Sequence, residues 1–257
     1  MSSLGAIFSQ TFPPSPKWSV DSMPNLTGKV AIVTAKTCST LLKLRSSNLN
    51  MLICNAGAML APIEELSVQG YDLHFGVNAL GHFLFIQKLL PLLKSLSSPT
   101  TQSRIVWVSS SAHYYFIHHP INSENLRDTP SRKKLDSFQL YCQSKFVTTM
   151  LAYRLAEELD KQLEEGEGST GNSNKSPNVI CIHLDPGNID TDDLTLYPVS
   201  FGVLSQLFAA TALEATGYNG KYLQPWARLG EPNPATKDNA EQEKLWTFCM
   251  DAIKDYI

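Results

Sequence analysis

With 257 residues, 43% of them apolar and 18% charged, the chain holds material for one large α/β domain with a sizeable core. Its formal net charge of −3 argues against a basic surface for nucleic acid, and no apolar run is expected to reach the ~20 residues of a membrane span. Five cysteines (Cys38, Cys54, Cys142, Cys181, Cys249) are scattered and odd in number, so they read as buried or free thiols of a reducing compartment. No positive flank precedes the short apolar stretch near the N-terminus, so a secretory signal is not expected and a cytoplasmic location is.

Residues 1–22 are rich in Ser and Pro and read as a tail draped on a single domain formed by residues 23–257. Residues 29–34 (KVAIVT) form a β-branched apolar run, as a strand buried on both faces requires. Residues 51–54 give a second strand. A helix is expected at residues 64–70, and a long one at 72–93 interrupted at Pro91. Residues 104–109 give a third strand, and residues 139–163 a long helix with apolar residues at helical spacing. Residues 164–177 (EEGEGSTGNSNKSP) are polar and glycine-rich and read as a flexible loop. A fourth strand is expected at 178–183, a short last one at 221–223, another loop at 231–239, and an amphipathic helix at 241–256. Strands alternating with helices imply a Rossmann-like, doubly wound parallel sheet covered on both faces.

Four signatures occur in one order: Asn55-Ala56-Gly57 after the second strand, Asn78 in GVNALGHF, Ser110 in RIVWVSSSAH, and Tyr141 with Lys145 in LYCQSKF. Residues four apart share a helix face, so Tyr141 and Lys145 point the same way. A free phenol titrates near pH 10, and an adjacent ammonium favours the phenolate. That pairing is expected to lower the Tyr141 pKa toward a range useful for proton exchange.

On these motifs the chain from about Leu26 onward resembles the short-chain dehydrogenase/reductase family, above all its retinol-dehydrogenase-like branch and fungal members. The resemblance implies an NAD(P)-dependent oxidoreductase that interconverts a carbonyl and an alcohol on a hydrophobic small molecule. It implies that Ser110 holds the substrate oxygen, with Ser109 and Ser111 as neighbouring alternatives, and that Tyr141 passes the proton. Lys145 would tune Tyr141 and bond the nicotinamide ribose, and Asn78 would anchor a water in the proton relay. Asn55 and Gly57 would border the cofactor, although a purely structural turn explains that motif equally well. Lys88 matches a basic position that some members use near the cofactor, and a solvated lysine explains it equally well. Pro186 and Gly187 open the family's Pro-Gly motif, in which the Ile189 backbone and the Thr191 hydroxyl would hold the nicotinamide amide. Residues 192–216 fall where the substrate cap belongs, and with Tyr114, Tyr115 and Phe116 suggest an apolar pocket. No metal is expected: His113, His118 and His119 have no Asp, Glu or Cys at ligand spacing. Dimers and tetramers are frequent in the family, so the resemblance allows a homo-oligomer.

One family feature is missing. A dinucleotide fold places a glycine-rich turn after its first strand and an acid near the adenosine ribose. Here no glycine occurs between Gly28 and Gly57, and no Asp or Glu between Asp21 and Glu64. Only 16 residues (35–50) join the first two strands. One crossover fits that length, but two further strands with their helices do not. The N-terminal half therefore reads as truncated, with the first strand at a bare sheet edge. NADP is favoured over NAD by Lys36, Lys43, Arg45 and the absent acid. The alternative is an inert truncated form with impaired cofactor binding. A metal-dependent hydrolase lacks both ligands and a nucleophile elbow.

Overall fold

The computed structural model describes residues 3–34, 48–95, 97, 101–116, 120–166, 178–189 and 197–257. Six strands form one sheet in simple chain order: β1 (Ala31–Val33), β2 (Met51–Cys54), β3 (Ser103–Val108), β4 (Val179–Leu184), β5 (Tyr222–Gln224) and β6 (Arg228–Gly230). The first five are parallel, and β6 turns back antiparallel on β5. This is the expected α/β, Rossmann-like sheet with one strand more than the sequence pattern revealed. β6 has only three residues and no apolar alternation to betray it.

β1 pairs directly with β2, with Ile32 opposite Leu52. The two strands that a doubly wound sheet places beyond its first strand have no counterpart among the described residues. β1 is the edge, and Val33 is 53% exposed while Ile32 is buried.

Successive residues of a strand face opposite sides, and here both sides are covered. Ile105 and Trp107 of β3 point toward α3 (His82–Ser95), α4 (Ser137–Gly166) and α6 (Asn239–Ile253), joining Phe75, Phe83, Ile86, Phe146 and Leu151. Val106 and Val108 point the other way, toward α5 (Val199–Thr211), joining Leu204, Phe208 and Trp18. Each such buried side chain contributes about 1.5–3 kcal/mol relative to exposure.

The entry to α4 is capped from both directions: Asp136 Oδ1 accepts the Gln139 N–H at 2.8 Å, and Gln139 Oε1 accepts the Asp136 N–H at 2.9 Å. The helix before β3 is α2 (Leu73–Phe75), then a π-helical turn at Gly76–Gly81, then α3. α3 runs through Pro91 rather than stopping there, because Pro91 lies on its exposed side, where water can satisfy the carbonyl that loses its partner. By length and composition the 23-residue helix Leu73–Ser95 is apolar enough to cross a membrane, contrary to the expectation from the sequence.

The helix expected at residues 64–70 is absent. Turns stand there instead, closed by Glu65 N–H to Pro62 O and Gly70 N–H to Ser67 O. Val68 is fully exposed, so no core contact rewards a helix. The N-terminal stretch is more than a draped tail. α1 (Ser3–Thr11) is held by Tyr222, whose hydroxyl donates to Gln10 Oε1 at 2.6 Å, and by Arg228, which donates to Ser9 O at 2.9 Å. The expected loop over residues 164–177 begins within α4, which reaches Gly166, and its remainder lies outside the described residues.

Candidate active site

The parallel strands end on one side of the sheet, where open α/β sheets take their ligands. Tyr141 and Lys145 enter this region from the first turns of α4, 9% and 5% exposed respectively. Lys145 Nζ stands 5.9 Å from the centre of the Tyr141 ring and donates to Val108 O, the end of β3, at 3.1 Å.

Three serines follow β3, and each has a different partner. The Ser109 hydroxyl is 3.0 Å from Lys145 O and 2.9 Å from Thr149 Oγ1, so it ties β3 to α4. Ser111 lies beside Asp185 and favours its ionised form through its N–H and its side chain. Ser110 is the one of the three whose hydroxyl meets the Tyr141 phenol; it also accepts the Ala112 N–H at 3.2 Å.

Asn78 sits inside the π-helical turn, a local widening often found at functional sites. Its Oδ1 accepts the Ala58 N–H at 2.7 Å; its Nδ2 donates to Ala58 O and to Ser144 Oγ, each at 2.9 Å. The amide thus fastens the segment just after Asn55-Ala56-Gly57. A Cβ on Gly57 would lie 3.3 Å from Asn78 Oδ1 and 3.7 Å from Lys145 Nζ. Gly57, Asn78 and Lys145 therefore surround one small space, and glycine keeps it open.

The segment from Asn55 onward has further anchors that its sequence does not suggest. Thr34 Oγ1 accepts the N–H groups of Asn55 and Ala56, both at 2.9 Å, and lies 2.9 Å from His82 Nε2. His74 Nε2 accepts the Ala61 N–H at 3.0 Å, and the His74 ring meets the Tyr141 ring edge-on at 6.2 Å. Buried Arg132 donates to Asp72 Oδ2 at 2.9 Å and to Ile63 O at 2.6 Å.

Beyond β4, Gly187 takes φ +83° and packs so tightly on Trp226 that an added Cβ would lie 2.7 Å from that ring. The Pro-Gly motif of Pro186 and Gly187 thus has a packing reason as well as a turn. Its N–H donates to Asp185 Oδ1 at 3.1 Å. The Ile189 side chain fills the space beside Gly202 of α5, and its backbone bridges to Tyr197. Thr191 lies outside the described residues, as do Lys36, Lys43, Arg45, His118 and His119. Lys88 is exposed on α3, ten residues or roughly 15 Å along the helix from Asn78, and is not brought to this cluster.

The electrostatics differ from the expectation in one respect. Burial pushes the Tyr141 phenol up to about 12, the Ser110 hydroxyl opposing this and Asp185 adding to it. The ammonium does not lower it: at 5.9 Å from the ring its attraction is outweighed by desolvation. Burial draws Lys145 down to about 8, opposed by Asp185. Asp185, buried and absent from the sequence reading, is itself raised by burial to about 6 against the bond from Gly187, the neighbouring Ser111 and the charge of Lys145. Near neutrality Tyr141 keeps its proton and can donate it. Sequence reading weighs His113 only as a metal ligand; in the fold its Nε2 accepts the Asn233 N–H, 120 residues away, at 3.1 Å, a partner that no local pattern announces. Among the described residues no group of three or more His, Cys, Asp or Glu is placed to hold a metal.

Two proteins of Armillaria gallica, each named short-chain dehydrogenase/reductase, are 34% and 33% identical to this chain across the full length of both partners. The chain belongs to the short-chain dehydrogenase/reductase family, a family of oxidoreductases. Its relatives in the family include a polyprenol dehydrogenase of Danio rerio (33% identity over 77% of this chain and 60% of the relative) and human retinol dehydrogenase 12 (38% over 80% and 61%). No family model matches the chain. A crystal structure of an uncharacterized protein from Mycobacterium paratuberculosis shares the fold, with a TM-score of 0.62 and 24% identity over 82% of this chain and 69% of that one. The two fungal alignments span 327 positions against 257 residues here, leaving 70 positions without a counterpart in this short-chain dehydrogenase/reductase chain.

Proposed function

We propose that the protein is a nicotinamide-dependent oxidoreductase that interconverts a carbonyl and an alcohol on a hydrophobic small molecule. The observation that carries this reading is the convergence of Tyr141, Ser110 and Lys145 in one buried spot beside Gly57 and Asn78. When bound, the nicotinamide supplies or accepts the hydride.

The protein's own groups then have distinct tasks. Ser110 donates a hydrogen bond to the substrate oxygen and holds it beside the phenol. Tyr141 gives its proton to that oxygen during reduction, or takes one from the alcohol during oxidation. As negative charge moves onto the phenol oxygen, the Lys145 ammonium stabilises it, and this interaction strengthens in the low dielectric of a closed site. Asn78 holds the segment after Gly57 in place. The residues fit the nicotinamide end of the cofactor at one point: Gly57 leaves room against Lys145 and Asn78. They do not supply a glycine-rich turn for the phosphates, so NADP rather than NAD is a preference drawn from charge alone.

That deficit favours a second reading, a family member that keeps its proton-transfer residues but grips the dinucleotide weakly. β1 lies directly beside β2, and the 70 unmatched positions fit the loss of the intervening units. Titrating the protein with NADPH while following cofactor fluorescence, then assaying aldehyde reduction by wild type and Tyr141→Phe, decides between them. Micromolar binding with turnover lost in Tyr141→Phe supports the enzyme. Absent binding supports the inert form.

A further inference from the structure

His82 lies one turn after Asn78 and is buried between α3, α4 and the end of β1. Its hydrogen bonds can be assigned a direction. Thr34 Oγ1 accepts two backbone N–H groups, from Asn55 and Ala56, each at 2.9 Å. A backbone N–H can only donate, so these two bonds fill both lone pairs of the hydroxyl oxygen. The hydroxyl proton is left to point at His82 Nε2, 2.9 Å away. Nε2 must then be the bare acceptor, and the single ring proton lies on Nδ1. From there it is donated to Asn78 O at 3.2 Å. Thr148 Oγ1 of α4 also lies 3.2 Å from this carbonyl, sharing its one proton with Ser144 O at 2.9 Å.

We infer that His82 is a positioning residue: a neutral Nδ1–H strut that fixes the Asn55–Ala56 turn and Asn78 in one register across the site. One ring thereby connects the end of β1, the turn after β2 and the π-helical turn. An imidazolium does not fit the arrangement. A proton on Nε2 would face a hydroxyl oxygen with no free lone pair, so Asn55 or Ala56 would have to let go. The charged group facing the ring is Lys145 of α4, while Thr34 and Thr148 are its neutral neighbours; burial, aided by that ammonium, lowers His82 to about 4. The strut therefore stays intact throughout the neutral range. The structural assignment stands by itself, and its bearing on turnover rests on the oxidoreductase reading.

Nitrogen-15 spectra of the histidine rings, with amide hydrogen exchange at Asn55 and Ala56, test the strut in the unmodified protein and without turnover. The expected result is an Nδ1–H tautomer for His82 that does not titrate between pH 5 and 9. In His82→Leu, exchange at both amides should rise at least tenfold. In His82→Gln, which keeps one donor and one acceptor, it should return to within a few-fold of wild type. An Nε2–H tautomer, a titration near pH 6.5, or unchanged exchange in His82→Leu overturns the assignment. If His82→Leu does not fold, the tautomer of the unmodified protein still decides. With active enzyme, His82→Leu should weaken NADPH about tenfold and leave the KM for the carbonyl substrate unchanged; an equal rise in both argues against a positioning role. If wild type itself shows no turnover, the oxidoreductase reading fails, and the spectra and exchange rates judge the strut alone.

Discussion

Asn78 and Ala58 exchange two hydrogen bonds: the asparagine Oδ1 accepts the alanine N–H at 2.7 Å, and its Nδ2 donates to the alanine carbonyl at 2.9 Å. A side-chain amide here stands in for a neighbouring strand, pairing with both polar groups of one residue in a segment that has no strand of its own. Twenty residues of chain separate the partners, and the π-helical turn presents the amide to them. A catalytic-looking asparagine is thus also a structural one.

Asn78→Leu tests that structural part. It leaves both backbone groups of Ala58 without their partner and removes the donor to the Ser144 hydroxyl, which keeps its bond to Tyr141 O. Unmet buried polar groups cost about 1–3 kcal/mol each, and with Ala58 partly open to water the total loss should be roughly 2–4 kcal/mol. Urea unfolding followed by tryptophan fluorescence reads this directly. A loss below about 1 kcal/mol would mean that the two bonds do not hold the segment.

Gly57→Ala separates the site from the scaffold. The new methyl would meet Asn78 Oδ1 at 3.3 Å and Lys145 Nζ at 3.7 Å, a tight fit that small shifts relieve. Stability should fall by no more than about 1–2 kcal/mol. On the proposed function, NADPH binding should fall at least tenfold, since the methyl would occupy space that this proposal assigns to the nicotinamide ribose beside Lys145. Unchanged NADPH affinity would place the cofactor elsewhere.

The sequence revealed the fold where burial is uniform. β3 and β4 are buried at every residue, and their apolar stretches (IVWV in β3, VICI in β4) announce strands without any partner in view. Residues 64–70 misled because their helical pattern has nothing to pack against, with Val68 wholly in solvent. The spacing of Tyr141 and Lys145 was legible because helix geometry alone puts them on one face. Thr34, His82 and Asp185 were not legible. Thr34 bonds backbone N–H groups 21 and 22 residues away, and no local pattern encodes that. The sign of the Tyr141 shift was also beyond the sequence, because it depends on how completely α4 and β3 exclude water from the ring.

Tyr141→Phe removes one hydroxyl, whose partner Ser110 is half-buried and can turn to water. Stability should change by about 1 kcal/mol or less. Carbonyl reduction, if wild type supports it, should fall by at least two orders of magnitude, the scale of a lost general acid. A Tyr141→Phe enzyme that keeps more than a tenth of its kcat would assign the proton to another group.

Asp185 gives a pH signature that can be isolated by difference. Its folded-state pKa is raised from 3.8 to about 6, first by burial. Between those values the folded protein holds more protons than the unfolded chain, so this group makes stability fall as pH rises through that window. Below pH 3.8 the carboxyl is neutral in both states and contributes no penalty; above pH 6 the penalty is complete, on the order of 3 kcal/mol for a shift of this size. Asp185→Asn carries a neutral amide at every pH. The stability of Asp185→Asn relative to wild type should therefore increase from pH 4 to pH 7 by roughly 2–3 kcal/mol. Titrations common to both proteins cancel in that comparison. Lys145 acts in the same pair, and without the carboxylate its ammonium loses the charge that opposes its desolvation, so its pKa should fall below about 8. That second change subtracts from the gain near neutrality, and urea titrations at pH 4, 5, 6 and 7 resolve the two. A flat difference across this range would mean that the Asp185 carboxylate is stabilised in the folded protein as well as it is in water.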